Sequence, residues 1–319
     1  MLSKIQITDR GKRKLKVGNE RLLTLSSPLL HKSVTVKDIS CCDHISCVTA
    51  DLFWVNGPCG FHTLVLKDTS GNTLHREVDG WGAYGLHTVN DVHELIYLSQ
   101  IFKNEIPERS ILKLSSDMKT KTTIVTMTDN TWAPLCVYCS PINGDLLVGM
   151  MYESTSDSLN EGKIIRYNST GQLTQTIQYD NTGRGLYRNV DYITENNNGH
   201  IVACDSDWKT GYTAVVVTER GGRHRFFYTG PPSGPRLRPH GICTDAFSHI
   251  LVCDDRTHAV QMITKDDEFL RNLLIRPPGL LEPWSLSYDR NAHLLWVASW
   301  SGKTVSTYRY INRHLDFEG

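Results

Sequence analysis

The chain has 319 residues, of which 34 are basic and 34 acidic, so its formal net charge is zero. This balance excludes a general electrostatic attraction to nucleic acid or to anionic membranes, and partners have to be recognised by local features. Residues 1–16 are polar and basic without the apolar segment of a signal peptide, and no apolar run reaches the length of a membrane span. We therefore expect a soluble, cytoplasmic protein without a membrane partner.

Six short apolar runs recur along the chain at spacings of 43 to 55 residues. They lie at residues 52–55, 95–98, 146–149, 201–204, 250–253 and 294–297. A β-rich repeat of this period is typical of a propeller, in which no unit buries both of its faces alone. The pattern predicts an all-β fold, a six-bladed β-propeller with four-stranded antiparallel blades.

The predicted elements follow one another along the chain in a regular way. Residues 33–39 alternate as a half-buried strand does and precede the first blade. The blades are predicted at residues 42–78, 84–127, 134–179, 187–228, 238–275 and 283–308, and the last of them has only three strands of its own. We therefore predict that the N-terminal strand completes the last blade and closes the ring, which removes exposed sheet edges.

The residues that are not assigned to a blade define the remaining segments of the chain. Residues 1–31 fit no blade and are interpreted as an N-terminal arm or linker. Residues 32–312 form the predicted propeller, and residues 313–319 a C-terminal tail.

The fifth unit carries a specific motif. The sequence PHGI at residues 239–242 is followed by ILVCDDRTHAV at residues 250–260. This resembles the NHL repeat, in which P-x-G-I leads to I-x-V-x-D-x-x-N-H-x-I, with Thr257 in place of the usual Asn. The fourth unit retains part of it as IVACD at residues 201–205. From about residue 33 to residue 312 the chain resembles the propellers of tripartite-motif (TRIM) NHL proteins, particularly the expanded invertebrate set.

The resemblance implies a function in recognition. In that family the propeller binds proteins or structured RNA, while RING and B-box domains supply ubiquitin ligase activity. This chain lacks the paired-cysteine framework of a RING, so we expect no enzyme activity from it. We expect a non-catalytic module that binds a protein partner or ubiquitination substrate. An RNA-binding propeller is the alternative, and a metal-dependent lactonase-like or lyase-like enzyme ranks third.

The predicted binding face is built around tryptophans. Inter-blade connections and the hairpins between middle strands share one end of a propeller, and five tryptophans fall in these segments. With neighbouring tyrosine, arginine, histidine and aspartate side chains they have the composition of a protein-binding hot spot. The predicted partner-binding residues are Trp81, Tyr84, Trp132, Arg184, Tyr187, Arg188, Trp208, Arg238, His240, Asp255, Arg256, Trp284 and Trp300. In the competing interpretation each tryptophan packs into the core of its own blade.

No metal, cofactor or catalytic residue is predicted. Residues 41–44 and Cys47 contain zinc-ligand types, but strand alternation sends their side chains to opposite faces of the sheet. The CxxC at residues 136–139 has no second pair. For the enzyme alternative, the good ligands at the starts of inner strands are His44, Asp191 and His240.

Overall fold

The computed structural model describes residues 20–37, 39–57, 63–78, 86–128, 131–152, 160–207, 209–277, 280 and 282–315. Over these residues the chain forms six sheets of four antiparallel strands each. The described part contains no helix, and therefore none with the length and hydropathy of a membrane span. The predicted all-β fold with six four-stranded blades is confirmed.

Each blade is an antiparallel meander running from an inner strand to an outer strand. Blade 1 contains β2 (His44–Thr49), β3 (Leu52–Asn56), β4 (Leu64–Asp68) and β5 (Thr73–Glu77). Blade 2 contains β6 (His87–Val89), β7 (Leu95–Lys103), β8 (Ile106–Leu114) and β9 (Lys121–Met127). Blade 3 contains β10 (Ala133–Cys139), β11 (Leu146–Tyr152), β12 (Glu161–Tyr167) and β13 (Leu173–Ile177).

The second half of the ring repeats this order. Blade 4 contains β14 (Asn189–Glu195), β15 (Ile201–Asp207), β16 (Tyr212–Thr218) and β17 (His224–Tyr228). Blade 5 contains β18 (Pro239–Thr244), β19 (Ile250–Asp254), β20 (Ala259–Ile263) and β21 (Phe269–Ile275). Blade 6 contains β22 (Pro283–Asp289), β23 (Leu294–Ser299), β24 (Thr304–Leu315) and the N-terminal β1 (Glu20–Thr35). Each of the six apolar runs lies in the second strand of a blade.

The ring is closed by the N-terminal strand, as predicted. β1 pairs antiparallel with β24, with Val34 opposite Val305. The strand begins at Glu20 and not at the predicted residue 33, because β24 continues to Leu315 and supplies pairing partners for the longer segment. Arg271 of blade 5 also donates hydrogen bonds to backbone carbonyls of this extension. Residues 20–31 therefore lengthen the closing strand.

The core lies in layers between neighbouring blades. Inner strands contact each other around the whole ring, including β2 with β22 across the closure. Trp54 and Trp296 lie within strands and are almost completely buried. Trp296 packs against Phe53 of blade 1, with ring centroids 5.2 Å apart. These side chains hold successive blades together.

The two ends of the propeller differ in their connections. Because each blade is a meander, the inter-blade connections share one end with the hairpins between second and third strands. We call this end the loop face and the opposite end the turn face. Turns on the turn face are closed by Asx side chains: Asp245, for example, accepts hydrogen bonds from the backbone N–H groups of Phe247 and His249.

Candidate functional site

A buried aspartate organises the loop face of blade 5. Oδ1 of Asp254 accepts a hydrogen bond from the backbone N–H of Arg238, at the start of the inner strand. Oδ2 accepts from Thr257 at 2.6 Å and from Gln261 at 3.0 Å. The motif aspartate therefore ties the inter-blade connection to the hairpin between β19 and β20, and it fixes the loops that carry the predicted binding residues.

Five of the predicted binding residues meet on this part of the loop face. The His240 ring stacks on Trp284, with centroids 3.5 Å apart and an interplanar angle of 24°. Trp284 also contacts Trp300, with centroids 4.5 Å apart. Asp255 and Arg238 border these rings. We call Arg238, His240, Asp255, Trp284 and Trp300 the aromatic patch; it spans the junction between blades 5 and 6.

The charged edge of the aromatic patch is internally paired. Oδ2 of Asp255 lies 3.1 Å from Nε2 of His240, and Oδ1 lies 3.3 Å from Nη1 of Arg238. Burial raises the pKa of the Asp255 carboxyl, but the hydrogen bond from His240 and the charges of His240 and Arg238 outweigh it, so the net pKa is lowered. Asp255 is therefore ionised at neutral pH and holds both basic side chains beside the rings.

The other predicted residues lie elsewhere or outside the described part. Trp132 is partly buried beside Tyr152, with Nζ of Lys163 3.7 Å from its ring centroid. Tyr187 is only 2% exposed and packs in the core between blades 3 and 4, so the aromatic patch does not include it. The remaining residues are exposed or half-buried on the loop face (Arg184, Arg188, Arg256) or lie outside the described residues (Trp81, Tyr84, Trp208).

A cavity of about 430 Å³ opens on the loop face of blade 4. We call it the blade 4 cavity; its main lining residues are Arg184, Leu186, Arg188, Asp205, Tyr212 and Phe227. Only the two arginines of this set were predicted to bind a partner. The other side chains come from separate strands and connections, and no linear motif brings them together.

The central channel contains a second group that no motif predicted. It encloses a cavity of about 180 Å³ lined by His44, His87 and Tyr192 among others. The rings of His44 and His87 lie 4.6 Å apart. Nε2 of His44 donates to the backbone carbonyl of His87 at 2.8 Å, so its Nδ1 accepts from the Ser285 hydroxyl. Burial lowers the pKa of His44 to about 4, and both rings are neutral at physiological pH.

Two carboxyl groups near the channel have pKa values shifted in the opposite direction. Burial raises the pKa of Asp43 and of Asp191 to about 7. Asp191 accepts a hydrogen bond from Ser206, which partly offsets the effect of burial. Each folded carboxyl therefore holds its proton over a pH range in which the unfolded chain has already lost it.

We expect Asp191→Asn to stabilise the protein at pH 8 and to leave its stability nearly unchanged at pH 4. The unfolded chain loses this proton near pH 3.8, whereas the folded carboxyl keeps it until about pH 7. Between these pH values the free energy of unfolding of the wild type therefore falls, and that of the Asn variant does not. The gain therefore grows between these two pH values. One pKa unit corresponds to about 1.4 kcal/mol, and we expect at least that gain at pH 8. Urea unfolding at several pH values measures it.

The matched control is Asp180→Asn. Asp180 is an exposed carboxylate whose pKa is lowered, chiefly by a hydrogen bond from Thr182. Its replacement should give no gain at pH 8. A loss of stability in Asp191→Asn at pH 8 would contradict the assignment of Asp191 as a buried, proton-holding carboxyl.

Metal-ligand side chains are not gathered into a metal site within the residues that the structure describes. No group of three or more His, Cys, Asp or Glu side chains there has the arrangement to hold a metal ion. Cys42 lies in the core next to Val36, and Sγ of Cys136 donates to the carbonyl of Val190. All eight described cysteines are free thiols.

Comparison with known proteins identifies the fold only. No family model and no curated protein matches the chain. Streptogramin B lyase superposes with a TM-score of 0.53 at 15% identity, over 92% of this chain and 98% of that chain. A gluconolactonase from Xanthomonas campestris gives 0.59 at 13%, over 92% and 90%. A calcium-binding regucalcin from Agrobacterium tumefaciens gives 0.56 at 14%, over 92% and 96%. Such low identities support a six-bladed propeller and no particular activity.

Proposed function

We propose that this chain is a non-catalytic, cytoplasmic recognition module of the NHL type that binds a protein partner through the aromatic patch. The observation that carries the proposal is the stack of His240, Trp284 and Trp300. The motif in blade 5 resembles the NHL repeat of TRIM-NHL ubiquitin ligases. In such a ligase a propeller of this kind would present a substrate to a ligase domain. Ligase activity itself would come from RING sequence outside this chain.

The composition and rigidity of the patch support a protein ligand. Tryptophan and arginine are enriched among the residues that dominate protein–protein binding energies. Trp284 lies in a strand, Trp300 follows one directly, and Asp255 fixes both His240 and Arg238. Because these side chains are already held in place, little conformational entropy is lost when a partner binds.

The same geometry disfavours RNA at this patch. Affinity for RNA phosphates requires cationic groups that are free to pair with them. Here the Asp255 carboxylate is within 3.3 Å of Arg238 and 3.1 Å of His240, so it neutralises much of the local positive charge.

The enzyme alternative has less support from the side chains that it needs. The three candidate ligands are engaged by protein groups: His44 by the His87 carbonyl and Ser285, Asp191 by Ser206, and His240 by Asp255 and Trp284. The lactonase and lyase activities named for similar structures belong to proteins of 15% identity or less. We therefore favour binding without catalysis.

We expect Trp300→Ala to weaken partner capture by about 30-fold or more while the protein stays folded. A hot-spot aromatic contributes about 2 kcal/mol or more to binding, and 1.4 kcal/mol is a factor of ten. Trp300 follows the end of β23 and is partly exposed, so its truncation leaves the strand pairing intact. Affinity capture from nuclease-treated lysate, followed by titration of the identified partner, measures the effect.

Phe247→Ala serves as the control for this experiment. Phe247 is 40% exposed and lies in a turn of blade 5 on the opposite face, so its loss removes an aromatic group without touching the patch. The proposal requires full binding by this variant. Equal loss in both variants, or capture of material that nuclease destroys, would refute the patch as a protein-binding site and, in the second case, would favour the RNA alternative.

A further inference from the structure

The walls of the blade 4 cavity are aromatic and apolar. Leu186 and Tyr212 pack against the core between blades 3 and 4, and Phe227, in the outer strand β17, is 40% exposed. The cavity of about 430 Å³ is large enough for a bulky side chain of another protein. These walls favour a flat, apolar group such as an aromatic ring.

Two arginines, Arg184 and Arg188, line this apolar cavity, and a third stacks on one of its aromatic rings. The guanidinium carbon of Arg236 lies 5.6 Å from the centroid of the Tyr212 ring. Burial, followed by the influence of Asp205, raises the pKa of Tyr212 to about 12, and the positive charges of Arg188, Arg236 and Arg184 act in the opposite direction. The ligand of this cavity has to be compatible with a concentration of positive charge.

These arginines have little negative charge to balance them. Within the described residues, the salt bridges and side-chain hydrogen bonds include none from the side chains of Arg184, Arg188 or Arg236. Hydrogen bonds from Thr182 and from the backbone N–H of Arg184, together with the positive charge of Arg184, lower the pKa of the exposed Asp180. The two arginines that line the cavity therefore favour an anionic ligand.

The buried Asp205, which also lines the cavity, is consistent with an anionic ligand as well. Oδ1 of Asp205 accepts from the backbone N–H groups of Arg188 and Asn189, whereas its buried Oδ2 has no partner among the described residues. Burial raises the pKa of Asp205 well above its usual value, which favours the protonated form of this carboxyl. It adds a donor to the cavity without adding negative charge.

The equivalent aspartate of blade 5 shows what is different here. Asp254 pairs with Ala259 in its sheet as Asp205 pairs with Ala214, so the two positions correspond. The Gln261 amide that satisfies Oδ2 of Asp254 is replaced in blade 4 by the apolar Val216. Among the described residues, Oδ2 of this aspartate therefore has protein partners in blade 5 and none in blade 4.

We propose that the blade 4 cavity binds the aryl phosphate of a phosphotyrosine side chain in a protein partner. The aromatic ring would lie against Tyr212 and Phe227, and the phosphate would accept hydrogen bonds from Arg184 and Arg188. A phosphate carries close to two negative charges at neutral pH and matches the two arginines that line the cavity better than a single carboxylate does. The inference rests on the proposed function only in taking the partner to be a protein.

The minimal test uses phenyl phosphate with the full-length protein in isothermal titration calorimetry. We expect it to bind more tightly than either phenol or inorganic phosphate, because only phenyl phosphate supplies both the ring and the charge. Equal affinity for inorganic phosphate would identify an adventitious ion only and would overturn the proposal. So would the absence of any heat of binding up to the solubility limit of phenyl phosphate.

Variants separate the two halves of the cavity. The double variant Arg184→Gln and Arg188→Gln should lower the affinity for phenyl phosphate by at least about 10-fold, the typical contribution of one charge-assisted hydrogen bond. Its control, Arg76→Gln with Arg223→Gln, removes the same charge from exposed sites outside the cavity and should change nothing. Phe227→Ala should weaken phenyl phosphate and leave inorganic phosphate unaffected. Equal effects of both double variants would refute the cavity as the site.

Two larger probes identify the source of the anion. A phosphotyrosine peptide should compete with phenyl phosphate, and its unphosphorylated form should not. More effective competition by single-stranded RNA than by this peptide would overturn the assignment to a protein partner. The partner-capture test on Trp300 does not involve the cavity, so failure of phenyl phosphate to bind removes this inference and leaves the proposed function standing. If Trp300→Ala captures its partner as well as wild type does, the proposed function is refuted and the inference about the blade 4 cavity still stands.

Discussion

Val34→Asp is expected to open the propeller ring and to cost about 3 kcal/mol or more of the free energy of unfolding. Val34 is 7% exposed and belongs to a core layer that includes Phe53, Trp296 and Val305. A carboxylate placed there loses its hydration among apolar side chains. The substitution lies in the strand pair β1–β24 that completes the last blade, so we expect the closing strand to detach. Chemical denaturation and limited proteolysis within residues 20–37 measure both effects.

The neighbouring position provides the control for this prediction. Thr35 follows Val34 in the same strand but points to solvent, because successive strand residues face opposite sides. Thr35→Asp introduces the same charge and should change stability by about 0.5 kcal/mol at most. An equal loss of unfolding free energy in both variants would mean that the added charge, and not the burial of Val34, is responsible. It would contradict the assignment of Val34 to the core at the ring closure.

Gly241→Ala is expected to destabilise the protein by about 3 kcal/mol, at the upper end of the usual cost of overpacking. A Cβ atom at this position would lie 2.4 Å from Cα of Ser285 and 2.7 Å from both the Leu286 nitrogen and the Trp284 oxygen. All three are backbone atoms of the neighbouring inner strand, so no side-chain rotation relieves the clash. Blades 5 and 6 would have to separate, and Trp284 would move away from His240.

Gly221→Ala is the matched substitution for comparison. A Cβ at Gly221 would meet nothing within 4 Å, and its backbone is not in the left-handed region. We expect a change within about 0.5 kcal/mol. Thermal unfolding gives both values. A Gly241→Ala protein as stable as wild type would mean that the inner strands are not in close contact at this point.

The fold was largely predictable from the sequence because every blade has to bury its second strand on both faces. A second strand buried on both faces has to be continuously apolar, and this is the signal that recurs in runs such as 146–149 and 250–253. The extension of β1 was missed because residues 20–32 do not alternate; their pairing depends on the length of β24 and on two irregularities in the register. The length of β1 therefore depends on its partner strand β24 and cannot be read from the sequence of β1 alone.

The candidate site was predictable only in part. Trp284 and Trp300 could be placed together because propeller connectivity brings inter-blade connections and middle hairpins to one end. The burial of Tyr187 follows from contacts of two blades and has no local signature. The blade 4 cavity depends on Leu186, Tyr212 and Phe227, which come from three segments and include an exposed outer-strand residue. Residue types alone do not bring these side chains together.

The pairing of β1 with β24 also sets the order in which the molecule folds. The hydroxyl groups of Ser33 and Ser306 meet 2.9 Å apart across 273 positions of chain. Closing a free loop of that length costs about 5 kcal/mol in chain entropy, so the contact forms late, after the intervening blades have shortened the distance. During synthesis the N-terminal strand has to wait, unpaired, until β24 has left the ribosome. The nascent chain therefore carries one unpaired strand until the last blade forms, and an unpaired strand can pair with another chain.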